Sequence, residues 1–206
     1  LARVTDAAGN RGVASSAYAA TVDTTAPTTT AAVTAITDDV GIVTGTVASG
    51  GVTDDTLLGV SGTLSTSLAA GETLRVYDGS TYLGTAAVSG TTWTYADTRT
   101  LSHAQAVSYT AKVMDAAGNL GTAGTAYTAT VDTAAPTTTA AVTAIADNVG
   151  SITGTVATGG VTDDTALVTT GTLTASLGAG ETLRIYDGST YLGNATVTTT
   201  TWTYAD

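Results

Sequence analysis

The chain has 206 residues, of which 43% are hydrophobic and only 11% are charged, and this composition is too apolar for a disordered protein. Its 17 acidic and 6 basic residues give a net charge of -11, which disfavours nucleic acids and anionic membrane surfaces as partners. Cysteine is absent, which excludes disulfides and thiolate metal sites, and no apolar run reaches the roughly 20 residues of a membrane-spanning helix. We expect a folded, acidic protein that does not insert into membranes.

The sequence repeats itself with a period of 109 residues. A shift of that length aligns the chain with itself without a gap, so that Trp93 matches Trp202, and about three quarters of residues 24–97 recur identically in 133–206. A solenoid repeat has only about 20–50 residues, whereas a unit of this size is that of a small β domain. Each copy is therefore expected to have its own core.

In chain order, the repeat predicts three parts. Residues 1–22 are expected to be the last two strands of a preceding repeat, residues 23–131 a complete repeat, and residues 132–206 a repeat without its last two strands. An incomplete sandwich exposes unpaired strand edges. We therefore expect either a longer continuous polypeptide or head-to-tail packing, in which residues 1–22 of one copy complete another copy.

Apolar and small side chains alternate with polar ones in seven segments of the complete repeat, and Gly or Asn stands at the turns between them. The predicted strands are 28–36, 57–66, 72–78, 81–88, 91–96, 105–114 and 121–131. This pattern predicts an all-β fold of tandem immunoglobulin-like β-sandwiches, with about seven antiparallel strands per 109-residue repeat. Trp93 and Tyr95 are interpreted as core and cross-strand packing residues.

Several segments together resemble a known family. They are VDTTAPTTT, ITDDVG, GGVTDDT, GETLRVYDGSTYLGTAAVSGTTWTYADTRTL and DAAGNLG. As a set they are similar to the bacterial immunoglobulin-like tandem repeats of giant surface adhesins and biofilm-associated proteins, and the resemblance covers the whole chain. It implies a non-catalytic extender module, exported by type I secretion in Gram-negative bacteria to the cell surface or medium, with Ca²⁺ bound near the junctions between modules.

The acidic residues of the repeat are predicted to lie at the two ends of the sandwich. With seven strands, the first begins at one pole and the seventh ends at the opposite pole, where the next repeat starts. The loops at that second pole carry Asp38, Asp39, Asp54, Asp55, Asp78, Asp97 and Asp132. The first pole carries Glu72, Asp115 and Asn119, so that Glu181 of the next copy is expected to face the acidic cluster.

Carboxylates crowded at one pole favour a bound cation, and oxygen ligands without His or Cys suit Ca²⁺ rather than Zn²⁺. The principal predicted ligands are Asp38, Asp39, Asp54, Asp55, Asp132 and, across the junction, Glu181. The further candidate ligands are Asp23, Asp115, Asn119, Asp147, Asp163 and Asp164. The Asp doublets do not have EF-hand spacing, so the site must be assembled from several loops.

Turn capping is the alternative role for these carboxylates, because Asp readily accepts hydrogen bonds from nearby backbone groups. Asp78 and Asp187, each followed by Gly, are assigned to that role. Asp39 becomes Asn148 in the next copy, which keeps an oxygen ligand but removes a charge.

The pattern argues against catalysis. The single histidine, His103, lies in a segment without a counterpart in the last copy, so no Ser-His-Asp arrangement recurs. We expect a mechanical spacer that is stiffened by Ca²⁺, whose partners are the neighbouring repeats. One alternative is a carbohydrate-binding module that uses Trp93, Tyr95 and Tyr82. Another is a subunit of an extracellular filament completed by strand exchange.

Overall fold

A computed structural model describes all 206 residues, and it contains strands, turns and irregular segments but no α-helix. The predicted all-β class is confirmed. No segment forms a helix with the length and apolarity that crossing a membrane requires. The chain divides into two compact units, Leu1–Thr133 and Ala134–Asp206, and each is described by itself.

The first unit contains ten strands, and inward and outward side chains alternate along them with period two. The strands are β1 (Ala31–Asp38), β2 (Gly45–Val47), β3 (Gly51–Thr53), β4 (Gly59–Leu64), β5 (Thr73–Asp78), β6 (Thr81–Thr85), β7 (Ala87–Ser89), β8 (Thr92–Ala96), β9 (Ala106–Met114) and β10 (Tyr127–Val131). Each of the seven predicted segments overlaps at least one strand, although β1 extends two residues beyond its predicted end. The three-residue strands β2 and β3 were not predicted, because they are too short to show an alternating pattern.

These strands form a β-sandwich of two five-stranded sheets, in the orders β2-β1-β4-β8-β7 and β3-β10-β9-β5-β6. Neighbouring strands are antiparallel except β3 and β10, which are parallel, so the prediction of antiparallel pairs alone is wrong there. The inward faces share one core, whose largest fully buried side chains include Trp93, Tyr109, Ile36, Leu58 and Leu74. Burying an apolar side chain of this size contributes about 1.5–3 kcal/mol each.

Two crossings between the sheets explain why the strand count exceeds seven. The predicted strand 81–88 is two strands, because the chain leaves the second sheet after β6 and joins the first sheet as β7. Ala86, buried between them, donates its backbone N–H to the carbonyl of Leu74 at 2.9 Å. On the other side, β2 and β3 make the opposite transfer through residues 48–50. Both crossings occur at sheet edges, where they cover the sides of the sandwich.

The chain of the first unit enters and leaves at opposite poles. A parallel bridge joins Ala31, where β1 begins, to Ala123, just before β10. At the other end, Thr53 contacts both the side chain of Asp38, where β1 ends, and the backbone of Asp132, which follows β10. We call the end where β1 begins the proximal pole and the end where β1 and β10 stop the distal pole.

The second unit repeats the first sheet and only part of the second. Its five-stranded sheet has the order β12-β11-β13-β17-β16 and stands apart from a two-stranded hairpin, β14-β15. The strands are β11 (Ala140–Asp147), β12 (Gly154–Val156), β13 (Val168–Leu173), β14 (Arg184–Asp187), β15 (Thr190–Asn194), β16 (Thr196–Thr198) and β17 (Thr201–Ala205).

Pairing partners explain the differences between the two units. In the first unit β3 pairs with β10 and β5 pairs with β9, whereas the second unit has no counterpart of β9 or β10. Accordingly, residues 160–162, equivalent to β3, form no strand, and β14 is two residues shorter than β5. Inward side chains lose their cover as well: Val33 is 9% exposed, whereas its equivalent Val142 is 62% exposed.

Residues 1–22 do not form the two strands that the sequence predicts. They contain a single bridge, between Thr5 and Arg11, and nearly all of their side chains are exposed. The equivalent residues 110–131 include the end of β9 and all of β10, which pair with other strands of the sandwich. The same pattern therefore becomes a strand only where a partner strand is present.

Gly62 of β4 is packed so closely that a Cβ atom there would collide with the carbonyl oxygen of Ala32 and with the indole ring of Trp93. We predict that Gly62→Ala lowers the free energy of unfolding by about 1–3 kcal/mol. The control is Gly59→Ala in the same strand, whose added methyl meets Thr37 at an ordinary 3.6 Å and should cost less than about 0.5 kcal/mol. Amide hydrogen exchange of β9 measures the stability of both variants, because β9 has no counterpart in the second unit and so reports on the first unit only. Equal losses of stability in the two variants would contradict the prediction.

Candidate functional site

Thr53 ties three loops together at the distal pole. Its hydroxyl donates to Asp38 Oδ2 at 2.7 Å and accepts the backbone N–H of Asp55 at 3.1 Å. Its carbonyl accepts the backbone N–H of Asp132 at 2.7 Å. The predicted ligand loops after β1, after β3 and after β10 therefore meet around one buried threonine. Sequence analysis missed Thr53, although its GGVTDDT segment recurs unchanged in the next copy.

Asp38 and Asp55 are buried, with 7% and 2% of their surface exposed, and both act as turn caps. The second oxygen of Asp38 accepts the N–H of Val40 at 3.1 Å. Asp55 accepts the N–H of Leu57 at 2.7 Å on one oxygen and that of Asp39 at 3.4 Å on the other. All four carboxylate oxygens are thus engaged within the protein, so the turn-capping alternative describes these two residues.

Asp39, Asp54 and Asp132 present exposed carboxylates at the same pole. The carboxylate of Asp54 lies where a Cβ atom on Gly41 would stand, and Gly41 has a φ of 74°. Glycine is therefore needed at that position for both its backbone conformation and its lack of a side chain. Asp132 Oδ1 lies 3.3 Å from His103 Nδ1, which also accepts the N–H of Thr133 at 3.2 Å.

The second unit reproduces this loop network. Thr162 donates to Asp147 at 2.7 Å, and Asp164 accepts the N–H of Asn148 at 3.1 Å. The carboxylate of Asp163 stands against Gly150, just as Asp54 stands against Gly41 in the first unit. Because the second unit has no counterpart of β9 or β10, the network depends on the two loops themselves and not on a complete sandwich.

Asp115, Asn119 and Asp23 meet at the proximal pole, away from the distal carboxylates. Asp115 accepts the backbone and side-chain N–H groups of Asn119, both at 2.8 Å, and these bonds hold the pKa of Asp115 below its usual value. Asn119 also donates to the carbonyl of Asp23 at 3.1 Å, which fixes the segment that leads into β1. Asp6 and Asn10 form the same closed loop near the start of the chain.

Glu181 caps its own turn, because its carboxylate accepts the N–H of Gly178 at 2.7 Å. Glu72 does the same with Ala69 at 2.8 Å. Glu181 belongs to the second unit, whereas the distal cluster of Asp38, Asp55 and their neighbours belongs to the first.

Asp97 and Asp78 are neutralised by Arg99, a residue that sequence analysis did not single out. The Arg99 guanidinium donates to both oxygens of Asp97, with contacts of 2.6–3.1 Å, and to Asp78 at 2.9 Å. Asp97 also accepts the hydroxyl of the fully buried Tyr109 at 2.6 Å. Asp78 is therefore an ion-pair partner as well as a turn residue, which corrects the prediction of an ordinary hairpin turn.

The electrostatics of this cluster favour its charged form. Burial opposes ionisation of Asp97, but hydrogen bonds from Arg99 and Tyr109 outweigh it, so the pKa of Asp97 lies below its usual value. The hydrogen bond to Asp97 also raises the pKa of Arg99. Burial, together with the bond to Asp97, raises the pKa of Tyr109. The cluster joins the turn after β5, the end of β8 and strand β9 at the distal pole.

The aromatic residues named for carbohydrate binding are not a common surface. Trp93 is 2% exposed and its indole N–H donates to the carbonyl of Thr63 at 3.3 Å, so it is a core residue and cannot stack on a sugar. Tyr95 packs against Gly84 at the margin of the core. Only Tyr82 is substantially exposed, at 45%.

The candidate ligands at the distal pole are of the type that a hard cation prefers, but their positions meet only part of its coordination. All candidate ligands are oxygens, as Ca²⁺ prefers. No three acidic or histidine side chains of the chain converge closely enough to form a metal site by themselves. Asp39, Asp54 and Asp132 are the exposed acidic residues among the principal candidates of this pole, and further ligands would have to complete the coordination.

Comparisons with known proteins returned no matching family, no matching curated protein and no matching solved structure.

We predict that Thr53→Val destabilises the first unit by about 1–3 kcal/mol, because the change keeps the shape but leaves the Asp38 carboxylate without a donor and the backbone N–H of Asp55 without an acceptor. The matched control is Thr63→Val, an exposed position on β4, which should cost less than about 0.5 kcal/mol. Hydrogen exchange of the amides in β1 and β10 measures the effect. Equal behaviour of the two variants would show that Thr53 does not hold the loops together.

We predict that Arg99→Met costs about 3 kcal/mol of stability, because it leaves Asp97 buried without its cation. The control is Arg75→Met, on the outer face of the second sheet, which should cost less than about 1 kcal/mol.

The same ion pair predicts a pH dependence. The stabilisation that ionised Asp97 provides is complete above the unfolded pKa of about 3.9 and is lost as the pH falls through the lower folded pKa. Urea unfolding between pH 7 and pH 2 should therefore show a steeper acid loss in the wild type than in Arg99→Met; parallel curves would contradict this.

Proposed function

We propose that the chain is a non-catalytic extender segment of a long bacterial cell-surface adhesin or biofilm protein, built from immunoglobulin-like repeats. One observation carries the proposal: β1 and β10 run in the same direction, so a repeat receives the chain at one pole and releases it at the other. Repeats joined in this way add length instead of folding back. Strand β9, with nine residues, corresponds to about 30 Å of such length.

The near identity of the copies supports a mechanical role. An enzyme or receptor needs one specialised site, whereas a spacer needs only a domain that can be added again. The loop network around Thr53 recurs around Thr162, and each threonine hydroxyl donates at 2.7 Å to the Asp that ends the first strand of its own repeat, Asp38 or Asp147. The repetition therefore includes the end of the domain, where successive repeats would follow one another.

Calcium is proposed to stiffen the junction at the distal pole. Asp39, Asp54 and Asp132 would bind the ion, while buried Asp38 and Asp55 hold the ligand loops in position. A bound cation would supply the positive charge that offsets repulsion among these carboxylates. The following repeat would provide the remaining oxygens, with Glu181 as the proposed contributor. The proposed location is extracellular, where modules with weak calcium sites are used.

The test compares the 206-residue chain in calcium and in chelator. We predict that scattering shows a longer maximum dimension with Ca²⁺, whereas the strand signal in circular dichroism stays unchanged, because the carboxylates repel and the linker bends when the ion is removed. Calorimetric titration should show weaker binding for Asp54→Asn and Asp132→Asn.

Asp187→Asn is the matched control, since it removes one carboxylate from a hairpin turn of the second unit. It should bind calcium like the wild type. If all three variants lose affinity equally, the ion responds to general surface charge; if the dimensions are identical with and without calcium, the stiffening proposal fails.

A further inference from the structure

The outer face of the second sheet carries two cations directly opposite each other. Arg75 on β5 is in register with Lys112 on β9, and both side chains are half-buried. Like charges opposite each other on a sheet destabilise the pair. Neither side chain forms an ion pair, although the chain has 17 acidic residues. This face therefore keeps an uncompensated positive charge in an otherwise acidic protein.

Two tyrosines hold these cations in place. The Arg75 guanidinium lies 4.8 Å from the ring centre of Tyr82, and the Lys112 ammonium lies 5.2 Å from that of Tyr77. The two rings contact each other at 5.5 Å with a tilt of 56°. Contacts between a cation and a ring face fix the position of a charge but use none of its N–H groups. The N–H donors of both cations are therefore available to a ligand, because neither side chain hydrogen-bonds to the protein.

The arrangement recurs in the second unit, although that unit has no counterpart of β9. Arg184 lies 5.2 Å from the ring centre of Tyr191, and Tyr186 contacts Tyr191 at 5.5 Å with a tilt of 54°. The aromatic–arginine part is therefore built by the hairpin alone and appears once in each of the two units. A ligand long enough to reach several copies would gain affinity from many weak contacts.

We propose that this face, formed by Arg75, Tyr77, Tyr82 and Lys112, binds an acidic polysaccharide whose sugar rings carry carboxylates. Four cavities of the chain are lined by other residues, and this sheet face suits an extended polymer more than an enclosed small molecule. Carboxylates would pair with the two cations. The 45% exposed ring of Tyr82 would contact the apolar face of a sugar.

The charge distribution permits this interaction despite the net charge of -11. The acidic side chains of the repeat lie at strand ends and in loops, and charges more than about 8 Å apart are largely screened at physiological salt.

The experiment measures binding of the 206-residue chain to immobilised polygalacturonate, with chelator present so that calcium bridges do not contribute. Uncharged dextran and single-stranded DNA are the comparison ligands. We expect salt-sensitive binding to polygalacturonate, a loss of about tenfold in the double variant Arg75→Gln/Lys112→Gln, and a further loss on adding Arg184→Gln. The charge-preserving variant Arg75→Lys/Lys112→Arg should retain binding.

The matched control is Arg3→Gln/Arg11→Gln, which removes the same charge from the exposed segment 1–22 and should bind like the wild type. Circular dichroism verifies that each variant is folded. The proposal is overturned if the wild type does not bind polygalacturonate, if dextran or DNA binds as tightly, or if both double variants lose affinity equally. The result is independent of the calcium proposal, because no calcium is present.

Discussion

Backbone pairing of β9 with β5 and of β10 with β3 determines whether a repeat forms its second sheet. The two units contain nearly the same sequence up to residues 97 and 206, and they differ in structure where those pairings are present or absent. With them, the second sheet has five strands and covers the core. Without them, the equivalent of β3 is not a strand and only a hairpin remains. Long-range pairing, more than local preference, thus forms the sandwich.

Other features need only neighbouring residues. The Thr–Asp network at the distal pole, the Gly that accommodates an Asp carboxylate and the paired tyrosines of the hairpin are alike in both units. Hydrogen bonds in these loops join residues about 15 positions apart, and the closed DAAGN loop spans five residues. Such structures remain the same because the groups that stabilise them lie within one or two adjacent loops.

Acidic and basic side chains occupy different parts of the sandwich. Acidic side chains end strands and occupy loops at the poles, where backbone N–H groups and Arg99 stabilise the buried ones. The cations of the sheet face are instead held on tyrosine rings. The poles and the face therefore offer surfaces of opposite sign, and this permits a junction role for the one and a ligand role for the other.

The sequence by itself determined the all-β class, the 109-residue period and the end of the domain on which each acidic residue lies, because alternation, turn residues and strand direction are local or follow from counting strands. It did not reveal the crossings at Ala86 and residues 48–50, since three-residue strands carry no period of their own. Nor did it distinguish buried Asp38 and Asp55 from exposed Asp54, because identical side chains differ only in which backbone N–H groups the fold brings to them. Packing likewise makes Arg99 the ion-pair partner of Asp97 and makes Trp93 a core residue. The tertiary structure alone decides which side chains are buried and which hydrogen-bond or ion-pair partner each buried polar group then needs.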